Sequence, residues 1–210
     1  MIIGLVGFAG SGKGTVADYL VTKHNYVKMA FADPLKDAAS VIFGWPRYMV
    51  EGDNEPSRIF RETPDPFWSE KFDMKFTPRL ALQKLGTEAG RDVFHKDIWV
   101  YALENRIRQH KNVVIADVRF DNEIAAIVKW GGHIIRIKRG KEPIWYETAY
   151  NHIHNNIYEM YQLYPNIHVS EWAWIGNENI KTTITNNSSV QNLESEVEKY
   201  LTSITSPANI

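Results

Sequence analysis

Cysteine is absent from all 210 residues, which excludes a disulfide framework, a thiolate metal site and a cysteine nucleophile. Neither sign of charge is in surplus, since 24 Lys and Arg face 25 Asp and Glu for a formal net charge of -1. No global field therefore draws the chain to nucleic acid or to an anionic membrane, and neither is expected as a direct partner. Long apolar runs are missing too. The opening Met1-Ile2-Ile3-Gly4-Leu5-Val6 is too short to span a bilayer and has no basic start of the signal-peptide kind, so a cytoplasmic protein is expected. One stretch, 142–180, has no Lys or Arg at all, yet holds Trp145, Tyr146, Tyr150, Tyr158, Tyr161, Tyr164, Trp172 and Trp174. Apolar residues are plentiful at 44%, enough for one full core with or without an inserted lid.

Apolar runs alternate with helical patterns, which predicts an α/β protein with a largely parallel sheet. Strands are expected at Ile2–Val6, Tyr26–Phe31, Val113–Ala116 and Ile134–Ile137. The first helix runs from Gly14 to Thr22 with Val16, Leu20 and Val21 inward. A second follows Asp33, a candidate N-cap, and has Pro34 as its first residue. Thr77 and Pro78 repeat that arrangement. Further helices are expected from Asp97 to His110, with Ile98, Ala102, Leu103 and Ile107 inward, and after Asp121 as cap. The last starts at Ser188, with Val190, Leu193, Val197 and Leu201 on one face. Residues 44–77, rich in proline and charge, read as an excursion from the core, a loop of the functional or disordered kind. The aromatic segment 142–180 suits a packed subdomain, a homodimer surface or a lid.

"GFAGSGKGT", Gly7 to Thr15, has four glycines in nine residues, more than a strand-to-helix turn needs. The spacing is that of a phosphate-binding loop, Gly7-x-x-x-x-Gly12-Lys13, with the usual hydroxyl displaced by Gly14 to Thr15. Glycines let backbone N–H groups approach phosphate oxygens, the next helix offers its positive end, and Lys13 adds a point charge. Asp117-Val118-Arg119 follows the buried strand at its carboxyl end, where ligands of open α/β sheets bind. Asp117 suits Mg²⁺, and Arg119 suits a phosphoryl group in transfer. Asp33, at the end of the second strand, suits orienting or deprotonating an attacking phosphate oxygen. Arg79, Gln83, Thr87 and Arg91, spaced by four, form a drifting polar stripe if the helix survives Gly86. It fits a base and a phosphate, or simply solvent. Arg136 and Lys138 share one face of a strand. Arg139, at the loop, can reach phosphates or stack on a donor base. His152 and His154, two apart on a helix, do not share a face for a metal.

Together, "GFAGSGKGT", "FADPLK", "TPRLALQKLGTEAGR", "DIW", "DVRFDNE" and "HVSE" resemble the deoxynucleoside monophosphate kinases of tailed bacteriophages, in order and over most of the chain. The resemblance implies a single P-loop kinase domain, a mostly parallel sheet flanked by helices with an acceptor-binding excursion at about 44–95 and an aromatic-rich lid or interface at about 142–180. It implies ATP and Mg²⁺ as the donor pair, a deoxynucleoside monophosphate as acceptor, and the host cytoplasm as location if the gene is a phage's. Gly10, Ser11, Gly12, Lys13, Gly14 and Thr15 would hold the donor phosphates with Arg139, and Thr15 and Asp117 the metal. Asp33, Lys36, Arg79, Gln83, Thr87, Arg91 and Trp99 would serve the acceptor. Lys13, Asp33, Arg91, Asp117 and Arg119 would carry catalysis. A kinase of the dephospho-coenzyme A type and a nucleotide-dependent switch or assembly ATPase are the rival readings.

Overall fold

Five parallel strands form one sheet in the order β2-β3-β1-β4-β5. They are β1 (Ile2–Val6), β2 (Val27–Met29), β3 (Val113–Ile115), β4 (His133–Lys138) and β5 (Thr182–Thr185). The structure, a computed structural model, describes residues 1–155 and 159–205, so Tyr158 of the aromatic series lies outside the described residues. The central β1 pairs Ile3 with Val114 on one side and with His133 on the other. Alternation along β1 then sorts the two faces. Ile3 and Leu5 join Val114, Ile135, Ile137 and Ile184 in a core closed by α1 (Lys13–His24) and α10 (Val190–Thr205). Gly4 faces the other way, toward α7 (Asp121–Lys129), where a Cβ would stand 2.7 Å from Ile127.

Two compact units make up the chain: Met1–Ala30 with Gln109–Ile210, which contains the sheet, and Phe31–Arg108. The second unit is helical: α2 (Asp33–Phe43), a 3-10 turn (Arg47–Val50), α3 (Glu55–Glu62), α4 (Pro66–Phe72), α5 (Pro78–Lys84), a π-helical segment (Leu85–Phe94) and α6 (Ile98–Ile107). Residues 44–77 are thus not a loop. Pro56, Pro66 and Pro78 each sit in the first turn of a helix, where a missing N–H costs nothing. The side chains of Asn54, Asp65 and Thr77 cap those three helices. Trp45, Val50, Phe76 and Ala81 form a core of their own here, packed by Phe43, Phe60, Trp68 and Leu80. Its two indoles are satisfied: Trp45 Nε1 donates to Asp65 at 2.8 Å and Trp68 Nε1 to the Phe43 carbonyl at 3.0 Å.

Several boundaries differ from the sequence reading. Asp33 and Asp121 are not caps: each is the first helical residue, behind Ala32 and Phe120. Ser189, not Ser188, accepts from the Asn192 N–H at the start of α10, and Val190 is half exposed there. Val21 points outward, and Val100 takes the core position expected of Ile98 and Ala102. β5 is unforeseen, because in Thr-Thr-Ile-Thr only Ile184 is buried. In the first unit, the described residues of 142–180 include α8 (Tyr146–Asn155), α9 (Glu159–Leu163) and a 3-10 turn (Val169–Glu171), with Trp172 and Trp174 buried. Among the described residues, no helix is long and apolar enough to cross a membrane.

Candidate active site

β1 ends at Val6, and the chain turns at once at Gly7 with φ 139°. A Cβ on Gly7 would lie 2.3 Å from the Ile137 carbonyl oxygen of the neighbouring strand, so only glycine lets the loop leave the sheet this closely. Gly12, with φ 105°, closes the loop into α1; a Cβ there would meet the Asn186 amide at 2.4 Å. That amide nitrogen donates to the Ser11 carbonyl at 2.9 Å, and Asn187 accepts from the Gly140 N–H at 2.7 Å. The loop after β5 therefore clamps the phosphate loop from the side. Sequence reasoning missed Asn186, because it follows a strand that carried no pattern.

A cavity of about 480 Å³ opens here, lined by Gly10 to Thr15 together with Arg139, Asn186 and Ser188. Ser11 is buried and its hydroxyl oxygen has no hydrogen-bond partner among the described residues. With the N-terminus of α1 beside it, that orphan polar atom fits an anionic ligand. Lys13 Nζ donates to the carbonyls of Gly7 at 2.6 Å and Phe8 at 3.0 Å. Burial pushes its pKa down to about 8; the Arg119 charge pushes the same way, and Glu171 opposes them.

Beside the loop a crevice of about 40 Å³ brings together Gly7, Lys13, Asp117, Arg119, Ser170, Glu171 and Trp174. Three of the expected catalytic residues, Lys13, Asp117 and Arg119, thus meet in one place. The sheet explains why: β3 and β1 are neighbours, and both end on this edge. Arg119 is held at both ends. Its N–H donates to the buried Glu123 carboxylate at 2.8 Å, and Glu123 also accepts from Phe120. Its Nη1 donates to Ser170 at 3.1 Å and Glu171 at 2.8 Å. Glu123, inside "DVRFDNE", stands three residues after Phe120, the spacing at which a first-turn glutamate reaches back to the backbone ahead of its helix; nothing in the spacing of Glu171, inside "HVSE", says which side chain it will hold.

The aromatic segment packs on the phosphate loop. Phe8 meets the rings of Trp145 at 5.3 Å and Trp174 at 5.1 Å. Arg136 lies over Phe8, Tyr146 and Trp174. Its guanidinium and Lys138 both pair with Glu142, as residues on one strand face should. Burial raises the Glu142 carboxyl, but the two cations overcome it and hold it below its usual range. Arg139, in contrast, lines the larger cavity. His152 packs edge-on against Tyr161 and Trp172, whereas His154 tilts on Tyr150.

In the second unit, Arg47 pairs with Asp33 at 3.0 Å and Asp37 at 2.6 Å, and also with Glu51. Lys36 pairs with Glu51 at 2.6 Å and Arg106 with Asp37 at 2.7 Å. Burial raises the carboxyls of Asp37 and Glu51, yet the surrounding cations hold both below their usual range. Arg79, Gln83 and Thr87 are exposed and Arg91 is half-buried, so the polar stripe exists. Arg79 itself pairs with Glu62. The helix survives Gly86 by opening to five-residue closure, as in the His95 N–H bond to the Gly90 carbonyl. Trp99 fastens this opening: its indole N–H donates to the Gly86 carbonyl at 2.8 Å, and its ring leaves no room for a Cβ on Gly90. Such π segments are frequent at functional sites.

A parallel sheet with a phosphate loop behind its central strand, and an Asp-Val-Arg turn behind the next, defines a P-loop kinase fold. No protein-family model matches the chain. It is similar to a protein of Acanthamoeba polyphaga mimivirus named deoxynucleotide monophosphate kinase, 37% identical over 152 residues that cover 66% of this chain and 74% of the other. It is also similar to the deoxynucleoside-5'-monophosphate kinase of Escherichia phage T5, 30% identical over 174 residues, 59% of this chain and 70% of the other. The shikimate kinase of Aquifex aeolicus covers 97% of this chain and 98% of its own at 12% identity, with a TM-score of 0.43. The chain belongs to the deoxynucleoside monophosphate kinase family, and it is a phosphotransferase.

Proposed function

We propose that the protein transfers the γ-phosphoryl group of ATP to the α-phosphate of a 2′-deoxynucleoside 5′-monophosphate, giving ADP and the deoxynucleoside diphosphate for DNA precursor supply. The meeting of Lys13, Asp117 and Arg119 beside the phosphate loop carries this reading. An acceptor phosphate oxygen attacks the γ-phosphorus, and the bond to the β,γ-bridging oxygen breaks. The acceptor is already anionic, so catalysis is mostly positioning and neutralisation of charge.

Gly10, Ser11, Gly12, Gly14 and Thr15 hold the donor phosphates through the loop backbone, with Lys13 as point charge. Arg139, Asn186 and Ser188 border the remaining cavity, on the side left for the donor base. Thr15 and Asp117 offer hard oxygen donors and would hold Mg²⁺. When bound, the metal neutralises phosphate oxygens. Arg119 neutralises charge on the group in transfer. Asp33, Lys36, Arg79, Gln83, Thr87 and Arg91 of the second unit bind the acceptor. Trp99 supplies a ring face rather than its N–H, which is committed to Gly86. A homodimer would form on the exposed Ile144, Tyr150 and Tyr161.

Coupled ADP release, with ATP, Mg²⁺ and each deoxynucleoside and ribonucleoside monophosphate in turn, tests this reading. ADP should appear only with particular deoxynucleotides and vanish in Lys13→Ala. ADP that forms without an acceptor would overturn it.

Lys13 adds a pH signature. Its lowered pKa means that the free protein loses this proton above about pH 8, whereas bound phosphates restore the charge and raise the pKa. Nucleotide binding should therefore take up most of one proton at about pH 9 and almost none through this group at about pH 7. Calorimetry in buffers of different ionisation enthalpy reads the uptake, and Lys13→Met should abolish it. The same shift makes this group's contribution to stability rise with pH between about 8 and 10.5, where the unfolded chain still holds the proton.

A further inference from the structure

We propose that Glu171, assisted by Ser170, is a positioning residue that fixes the Arg119 guanidinium for phosphoryl transfer. The proposal rests on the kinase reading above. Every side-chain hydrogen bond of Arg119 among the described residues uses Nη1, which donates to Ser170 Oγ at 3.1 Å and Glu171 Oε1 at 2.8 Å. Guanidinium carries five N–H groups in a rigid fork. One nitrogen is anchored, while Nε and Nη2 keep their hydrogens for an anion.

A half-exposed ion pair is ordinarily a weak constraint, because two long side chains must be ordered to make it. Here both ends are fixed by other bonds. The Glu171 N–H donates to the His168 carbonyl at 2.9 Å, and the Ser170 N–H donates to His168 Nδ1 at 3.2 Å. The Glu171 carbonyl accepts from the indole of the buried Trp174 at 3.0 Å. At the other end, the Arg119 backbone is tied to the buried Glu123. The carboxylate therefore stands at a set place in the crevice, and the arginine is held against it before any phosphate arrives. Such preorganisation acts on turnover rather than on ground-state binding.

The test compares Glu171→Ala, Glu171→Gln and Ser170→Ala with the parent enzyme in steady-state kinetics, ATP binding and thermal melting. In Glu171→Ala, kcat should fall by roughly ten- to a hundredfold with KM for ATP changed by less than about threefold. Glu171→Gln keeps an acceptor for Nη1 and should recover part of the loss. Ser170→Ala leaves the carboxylate on Nη1 and should cost less than Glu171→Ala. A merely structural residue would lower melting temperature and ATP affinity together, with no recovery of kcat in Glu171→Gln; this outcome, or an unchanged or increased kcat, would overturn the proposal. If the parent enzyme forms no ADP with any deoxynucleotide, the kinase reading fails instead.

Discussion

Arg119→Ala is expected to lower turnover on the order of 10³-fold or more, the range seen when an arginine that stabilises a phosphoryl-transfer transition state is removed. Stability should hardly change. The Arg119 side chain is 47% exposed and its ion partner Glu171 37% exposed, and such pairs are worth about 1 kcal/mol or less. The backbone tie to Glu123 survives the substitution, because it uses the Arg119 N–H. ATP affinity should fall far less than turnover, since Lys13 and the loop backbone remain. Arg119→Lys should restore only part of the rate, because an ammonium lacks the fork that binds one anchor and one anion together. Steady-state rates beside melting curves check this. Turnover within about tenfold of the parent would remove Arg119 from the transition state.

Gly7→Ala should abolish nucleotide binding and lower the melting temperature. The added Cβ meets a backbone oxygen at 2.3 Å, which cannot swing aside as a flexible side chain would. The positive φ adds strain of about 1–3 kcal/mol for a residue with a side chain. To relieve either, the loop must leave Ile137 or β4 must shift, and both disturb the bed of Lys13. Gly14→Ala is the contrast within the same motif. Its Cβ would meet nothing within 4 Å among the described residues and the position lies in the first turn of α1, so melting should hold or rise slightly. Differential scanning fluorimetry with and without ATP reads both variants. Equal behaviour of the two would refute the steric argument.

The phosphate loop, the buried strands and the Asp-Val-Arg turn were legible because backbone geometry and local sequence agree there. Four glycines around Lys13, and the continuous Val113–Ile115, leave few alternative structures. The prolines of 44–77 misled for a physical reason. A proline breaks a helix interior but suits a first turn, and Asn54, Asp65 and Thr77 mark first turns only once their caps are noticed. β5 escaped because an edge strand with one buried side chain has almost no hydrophobic signature. Asn186 and Glu171 escaped for another reason. Each acts on a partner fixed by tertiary structure: Asn186 on a carbonyl 175 positions away, Glu171 on a guanidinium 52 positions away. The polar stripe through Gly86 was legible as a spacing, but its π-helical form depends on Trp99 supplying a donor from outside the helix.

The edge strand β2 bears on how the protein folds. Val27–Met29 pairs with Val113–Ile115, so in chain order the whole second unit is inserted between two strands that pair. Joining them closes a loop of roughly eighty residues, which adds only a modest entropy cost over a shorter connection but delays the contact. The aromatic core around Trp45 and Phe76 consists of contacts close in sequence and can collapse earlier. Once it has done so, the span to be closed is no longer a free chain, and β2 can dock on a sheet whose β1, β3 and β4 are already in register.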